Sequence, residues 1–180
     1  QAAGRIYVQG LPNGTPRRVT PPDFAPLEYA PAWSPDGRWL AFASWDGIEP
    51  GHIWKVSPTG GAPMKLTRDA AEYIHPSWNA DGTELIATRG AGVTFQGRPL
   101  TANPWYELVR IPAAGGRATP VVRVLPFTGR EQLPRGTFGP SGRIYYVARA
   151  AAAEGQQASR ELVSVTVDGG DRRVHAAFSF

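Results

Sequence analysis

The chain has 180 residues, 42% hydrophobic and 19% charged, which is ordinary globular composition and enough for one sizeable core. It has no cysteine, so a disulfide framework, a cysteine zinc site and a thiol nucleophile are excluded, and no stretch approaches the ~20 apolar residues of a membrane span. The 19 Lys+Arg and 15 Asp+Glu give a net charge of +4, and the basic residues are scattered, so no nucleic-acid partner is expected.

Taken in chain order, the elements repeat. Ile6-Tyr7-Val8-Gln9 reads as a strand and leads to Pro12-Asn13-Gly14, a turn. Ala32-Trp33-Ser34-Pro35-Asp36-Gly37-Arg38 then ends one strand on an aromatic and turns into a second, Trp39–Ala43. Ile53-Trp54-Lys55-Val56 follows as a third, Thr59-Gly60-Gly61 as a turn, and 63–67 as a fourth. The cycle restarts at Ser77-Trp78-Asn79-Ala80-Asp81-Gly82-Thr83, continues through 85–88 and Leu108-Val109-Arg110-Ile111, and reaches Ala114-Gly115-Gly116. A third cycle runs from Thr137-Phe138-Gly139-Pro140-Ser141-Gly142-Arg143 through 144–148 and Leu162-Val163-Ser164-Val165 to Asp168-Gly169-Gly170. Asp caps its own turn, and Gly accepts the positive φ that a tight hairpin needs. The only helix-like patch is 150–154.

Four short antiparallel strands recurring every ~45 residues make the blade of a propeller. The expected fold is all-β, a partial β-propeller of about 3.5 four-stranded blades. It comprises an outer half-blade at 1–20 and blades at 24–67, 69–123 (with a long insert, 90–104) and 133–175. Such a unit leaves two blade faces open. The aromatics Trp33, Trp78 and Phe138 are expected in the core at equivalent strand ends.

The run Trp33-Ser34-Pro35-Asp36-Gly37 resembles the TolB-type and tricorn-type propeller repeat; Trp78-Asn79-Ala80-Asp81-Gly82 matches it in part, and the third copy keeps Phe138, Pro140 and Gly142. More narrowly, Gly51-His52-Ile53-Trp54-Lys55-Val56, the insert after Arg89, and Leu162-Val163-Ser164-Val165 through Asp168-Gly169-Gly170-Asp171-Arg172-Arg173 look like the N-terminal propeller of large bacterial amidohydrolases. That resemblance implies a periplasmic or secreted protein whose parent chain carries zinc or another divalent metal. It implies partners in the remaining propeller blades or a catalytic domain, in the same or another chain. The His-x-His pair of the hydrolase barrel is absent, and His52, His75 and His175 lie far apart, so no catalytic residue, metal ligand or cofactor is assigned to this chain.

The two expected functions are the non-catalytic propeller portion of a larger exported hydrolase, a metal-dependent amidohydrolase, guiding substrate access, and a TolB-like protein-binding module without an enzymatic domain. No signal peptide is visible, and Gln1 reads as the start of a mature or trimmed chain. Binding is expected on the face of the long, varied loops. Its candidates are Trp45, Asp46, His52, Arg89, Arg98, Trp105 and Arg149, with Glu49, Arg68, Asp69, Glu72, Phe95, Arg130 and Glu131 beside them. Ser44, Arg89 and Arg149 are read as equivalent positions after the second strand, where two arginines could hold a carboxylate. His75 and Arg135 are expected near the central axis. Gly139-Pro140-Ser141-Gly142 superficially suggests a nucleophile, but it falls where Asp36-Gly37 makes a turn.

Overall fold

The computed structural model describes residues 1–46, 50–93, 97–99, 102–125, 133–150 and 159–178. β1 (Tyr7–Val8) and β2 (Arg17–Arg18) form a two-stranded sheet. Three four-stranded antiparallel sheets follow, each pairing its strands in chain order. The first holds β3 (Leu27–Trp33), β4 (Leu40–Trp45), β5 (Ile53–Val56) and β6 (Met64–Lys65). The second holds β7 (Tyr73–Trp78), β8 (Glu84–Gly90), β9 (Tyr106–Pro112) and β10 (Thr119–Val124). The third holds β11 (Thr137–Phe138), β12 (Ile144–Arg149), β13 (Arg160–Val165) and β14 (Arg173–Phe178). The helix-like patch at 150–154 lies, beyond Ala150, outside the described residues.

Strand alternation sends successive side chains to opposite faces, so each sheet feeds two cores. Leu40 and Phe42 of β4 meet Ile6, Val19 and Val56 on one side. Ala41 and Ala43 turn the other way and meet Leu66, Tyr73, Trp78, Leu85 and Ala87. Ile86 and Leu108 leave the second sheet on its far side and pack with Ile144, Tyr146, Val163 and Val165. Burying each large apolar side chain contributes about 1.5–3 kcal/mol. Sheets stacked face to face through successive cores make this chain an all-β partial propeller.

The turns behave as their composition requires. Asp36 accepts from Ser34 Oγ at 2.6 Å and from the Arg38 amide at 3.0 Å, while Gly37 takes φ +69°. Asp81 and Gly82 repeat the arrangement, with the Thr83 amide on Asp81 at 2.9 Å. Gly139 to Gly142 is likewise a turn, closed by the Gly142 amide on the Gly139 carbonyl at 3.0 Å.

The third-to-fourth turns also tie each sheet to the one before it. Pro58, Ala113 and Val167 stand two residues beyond Val56, Ile111 and Val165, which are equivalent by register against Leu40, Leu85 and Ile144. Each of the three carbonyls accepts from a cation of the preceding sheet: Arg17 to Pro58 at 2.5 Å, Lys55 to Ala113 at 2.7 Å and Arg110 to Val167 at 3.4 Å. A Cβ on Gly169 would press into the Val121 carbonyl oxygen, so this glycine is required by close approach as well as by its φ of +87°.

Two expectations need correction. Trp78 is 9% exposed and Phe138 packs on a core cluster, but Trp33 is 53% exposed. The side of its sheet that carries Trp33 looks toward β1 and β2, which among the described residues have no inner strands beside them to cover it. Register also overturns the equivalence of Arg149 with Ser44 and Arg89. Counting from Leu40, Leu85 and Ile144, the residue matching Ser44 and Arg89 is Ala148, while Arg149 matches Trp45 and Gly90. A one-residue step puts the side chain on the other face of the strand.

Candidate functional site

Within each four-stranded sheet the first strand stands at one edge, and β3 and β7 are the first strands of neighbouring sheets. Both carry a bulge, between Tyr29 and Ala32 and between Ile74 and Ser77. Ala30 and His75 sit in these bulges with the same φ of +51°. The same left-handed geometry at an alanine and a histidine marks it as a property of the repeat, independent of what the side chain does.

A pocket of about 320 Å³ opens where β3 and β7 begin, on the side of the long loops. It is lined by Leu27, Glu28 and Tyr29 of β3, Ile74 of β7 and Glu72 just before it, Trp45 at the end of β4, and Gln1 and Gly4. Its size falls at the small end of ligand pockets. Tyr29 bridges the two sheets, donating to the Tyr73 carbonyl at 2.9 Å and to that of Ser44 at 3.3 Å. Burial, with the Glu72 carboxylate next in weight, pushes the Tyr29 hydroxyl well above the usual phenol range, so it stays a donor.

Two carboxylates form the polar part of the wall. Glu28 is 0% exposed and accepts from Thr20 Oγ1 at 2.6 Å, the Ile6 amide at 2.9 Å and Arg18 at 3.0 Å. Arg5 lies 3.9 Å away as a second cation. Glu72 is also buried and accepts from the Gly92 amide at 3.0 Å, which roots the insert after β8. Glu28 is thus committed to holding β1 and β2 against the first four-stranded sheet. The rest of the wall is mainly aliphatic and aromatic, and the chemistry it offers a visitor is shape and apolar contact.

The pocket gathers Trp45 and Glu72 from the sequence candidates and leaves the other described ones elsewhere. Asp46 is exposed beyond β4. His52 contacts Thr67 Oγ1 through Nδ1 at 2.9 Å, and its ring stands edge-on to Trp54. Burial, then the Lys65 charge, holds this imidazole below its ordinary range. Arg89 is bound to Glu107 across β8 and β9, which leaves it ion-paired within its own sheet. Trp105 carries the Arg123 guanidinium 4.4 Å over its ring. Arg98 and Arg149 are exposed. The Asp69 carbonyl accepts from the Tyr73 hydroxyl at 3.1 Å, and the Arg68 amide donates to the Gly116 carbonyl at 2.8 Å. Glu49, Phe95, Arg130 and Glu131 lie outside the described residues.

The Arg135 charge acts on His75. Burial, opposed by a hydrogen bond to the Pro134 carbonyl and helped by the Arg135 charge, pushes the His75 imidazole below its ordinary value. Its Nδ1 is buried and has no hydrogen-bond partner among the described residues. The sequence did not point to Glu28, Tyr29, Leu27, Ile74, Gln1 or Gly4. The one available signal was an acidic residue at 28, where the repeat places Tyr73.

No family model matches the chain. A curated relative, the "uncharacterized peptidase YuxL" of Bacillus subtilis (strain 168), is 35% identical over 83 residues, which is 45% of this chain and 13% of the relative. Among solved structures, TolB from Acinetobacter baumannii is similar with a TM-score of 0.59 at 19% identity, over 94% of this chain and 37% of its own. An oligogalacturonate lyase solved in complex with manganese gives a TM-score of 0.61 at 18% identity, over 96% of this chain and 46% of its own. The fold is therefore TolB-type propeller, and the chain spans less than half the length of each of these proteins. Among the described residues no group of three or more His, Cys, Asp or Glu side chains could hold a metal ion. The donors needed for a zinc or manganese site are not gathered among the described residues. No helix among the described residues is long and apolar enough to cross a membrane.

Proposed function

We propose that this chain is the propeller portion of a larger exported hydrolase acting on amide bonds. In this reading it docks on the catalytic domain through its long-loop face and restricts which substrates enter. The observation that carries the reading is the match to a relative named as a peptidase, of which the aligned segment spans only 13%. An amidohydrolase and a peptidase share the cleavage of a carbonyl–nitrogen bond, so the sequence resemblance and this match converge on one bond class. The pocket bounded by Trp45, Tyr29, Leu27 and Ile74 supports a gate on the same face, because it can hold an apolar side chain of an entering substrate.

The test is made on the polypeptide as its cell produces it. Its intact mass and sequence report whether a hydrolase domain is present. Hydrolysis of a dipeptide amide and of a 30-residue peptide is then compared for wild type and for Trp45→Ala. The expected result is a changed ratio of the two rates at near-constant dipeptide turnover. A polypeptide that ends after further blades, with no second domain, would refute the reading and leave a TolB-like binding module.

A further inference from the structure

Trp33 is a large aromatic left 53% exposed, and the repeat shows what its two counterparts have. The Trp78 indole donates to the Ala32 carbonyl at 3.0 Å, a bond from one first strand to the first strand of the preceding sheet. Phe138 packs on the cluster that includes Ile86 and Leu108 of the sheet before it. Trp33 faces a sheet that has only β1 and β2, and it makes no side-chain hydrogen bond among the described residues.

The two-stranded sheet is an outer half by register. Tyr7 pairs with Arg18 as Trp54 pairs with Lys65, so β1 and β2 correspond to the third and fourth strands of a blade. The Ile6 carbonyl accepts from the Val19 amide, as that of Ile53 accepts from Leu66. Alternation therefore turns the Tyr7 amide and carbonyl to the other edge, where β1 has no partner strand among the described residues.

The path of the first residues gives the direction of the missing strands. Gly4 and Gly51 each stand two residues before the third-strand isoleucine, Ile6 or Ile53. The Gly51 carbonyl accepts from the Ala71 amide at 2.9 Å, just ahead of the next sheet's first strand. The Gly4 carbonyl accepts from the Glu28 amide of β3 at 2.8 Å, the same kind of bond. Gln1 continues along β3, its side-chain oxygen 3.3 Å from the Ala30 amide. Residues 1–5 thus occupy the end of a second-to-third-strand connection.

We propose that the surface formed by Trp33 and the free edge of β1 binds an antiparallel β-hairpin contributed by the same polypeptide immediately ahead of Gln1. Its outer strand pairs with β1 through the Tyr7 amide and carbonyl. Its inner strand covers Trp33 and offers a backbone carbonyl to the indole N–H, as Ala32 does for Trp78. This rests on the reading above that the chain belongs to a longer protein, and it names which surface that protein completes.

Hydrogen exchange at Tyr7 and acrylamide quenching of fluorotryptophan-labelled Trp33 (identified by its loss in Trp33→Phe) are compared between the 180-residue chain and the polypeptide as its cell makes it. In the longer polypeptide the Tyr7 amide is expected to exchange at least ~100-fold more slowly, with Trp33 shielded from acrylamide. Unchanged exchange and quenching would overturn the proposal. Shielding of Trp33 without protection of Tyr7 would also overturn it, because some other surface would then cover the indole. Protection that needs a second, separate chain would do the same. A polypeptide that protects both residues but carries no hydrolase domain would leave this inference intact and sink the proposed function.

Discussion

Replacing Glu28 should release the first 24 residues from the rest of the molecule. The carboxylate is fully buried and holds Thr20, the Ile6 amide and Arg18 at 2.6, 2.9 and 3.0 Å. Glu28→Ala strips all three of their acceptor. Breaking a buried charge pair costs about 3–5 kcal/mol. Arg18 and Arg5 keep 22% and 24% of their side chains exposed and can rehydrate, so the low end, about 3 kcal/mol, applies. At about 1.4 kcal/mol per decade this is a rise of ~100-fold in the locally open population. Trypsin cleavage after Arg17 and Arg18 reads that population directly, provided reclosing outpaces cleavage. The expected result is a ~100-fold faster cut there, with cleavage after Arg123 unchanged. Glu28→Gln keeps an acceptor oxygen and should accelerate the cut by only ~10-fold. A change below threefold in Glu28→Ala would refute the idea that this carboxylate holds the two-stranded sheet in place.

Three further outcomes follow from the same geometry. Gly37→Ala meets open space and suffers only its φ of +69°, about 1–2 kcal/mol, whereas Gly169→Ala also collides with Val121 and should lose several times more in urea denaturation. Ala30→Gly relieves a φ of +51° and, after the added unfolded-state entropy, should gain about 0.5 kcal/mol, seen as a melting temperature 1–2 °C higher. His75 and His52 both have folded-state pKa values below the ordinary value of 6.5. The folded chain therefore binds fewer protons than the unfolded one, and stability present above pH ~6.5 should fall as the pH drops through that value. His75→Gln should flatten the fall in a plot of melting temperature against pH.

The repeat was legible because its marks are local. An aromatic, a Pro-Asp-Gly turn and a Gly-Gly turn announce themselves within a few residues, and all three sheets follow from them. Trp33 misled because it holds the same place in the repeat as Trp78 and differs in the neighbour that would bury it, and no property of residues 32–38 reports on that neighbour. The pocket was out of reach for the opposite reason. Gly4, Leu27, Trp45 and Glu72 converge from four separate stretches, and only Trp45 and Glu72 lie on the varied loops. Arg149 was misplaced by one position because the third copy runs six residues from Phe138 to its partner Ile144, where Trp33 to Leu40 and Trp78 to Leu85 each run seven.

The ties from Arg17, Lys55 and Arg110 end on the main-chain oxygens of Pro58, Ala113 and Val167, three residues with nothing in common. A joint that reads only the polypeptide backbone places no demand on the identity of the residue it grips. Neighbouring units can then drift in sequence, or be copied and inserted, without a matched change on the other side of the seam. Divergence of the loops and constancy of the architecture become compatible because the fastener is generic.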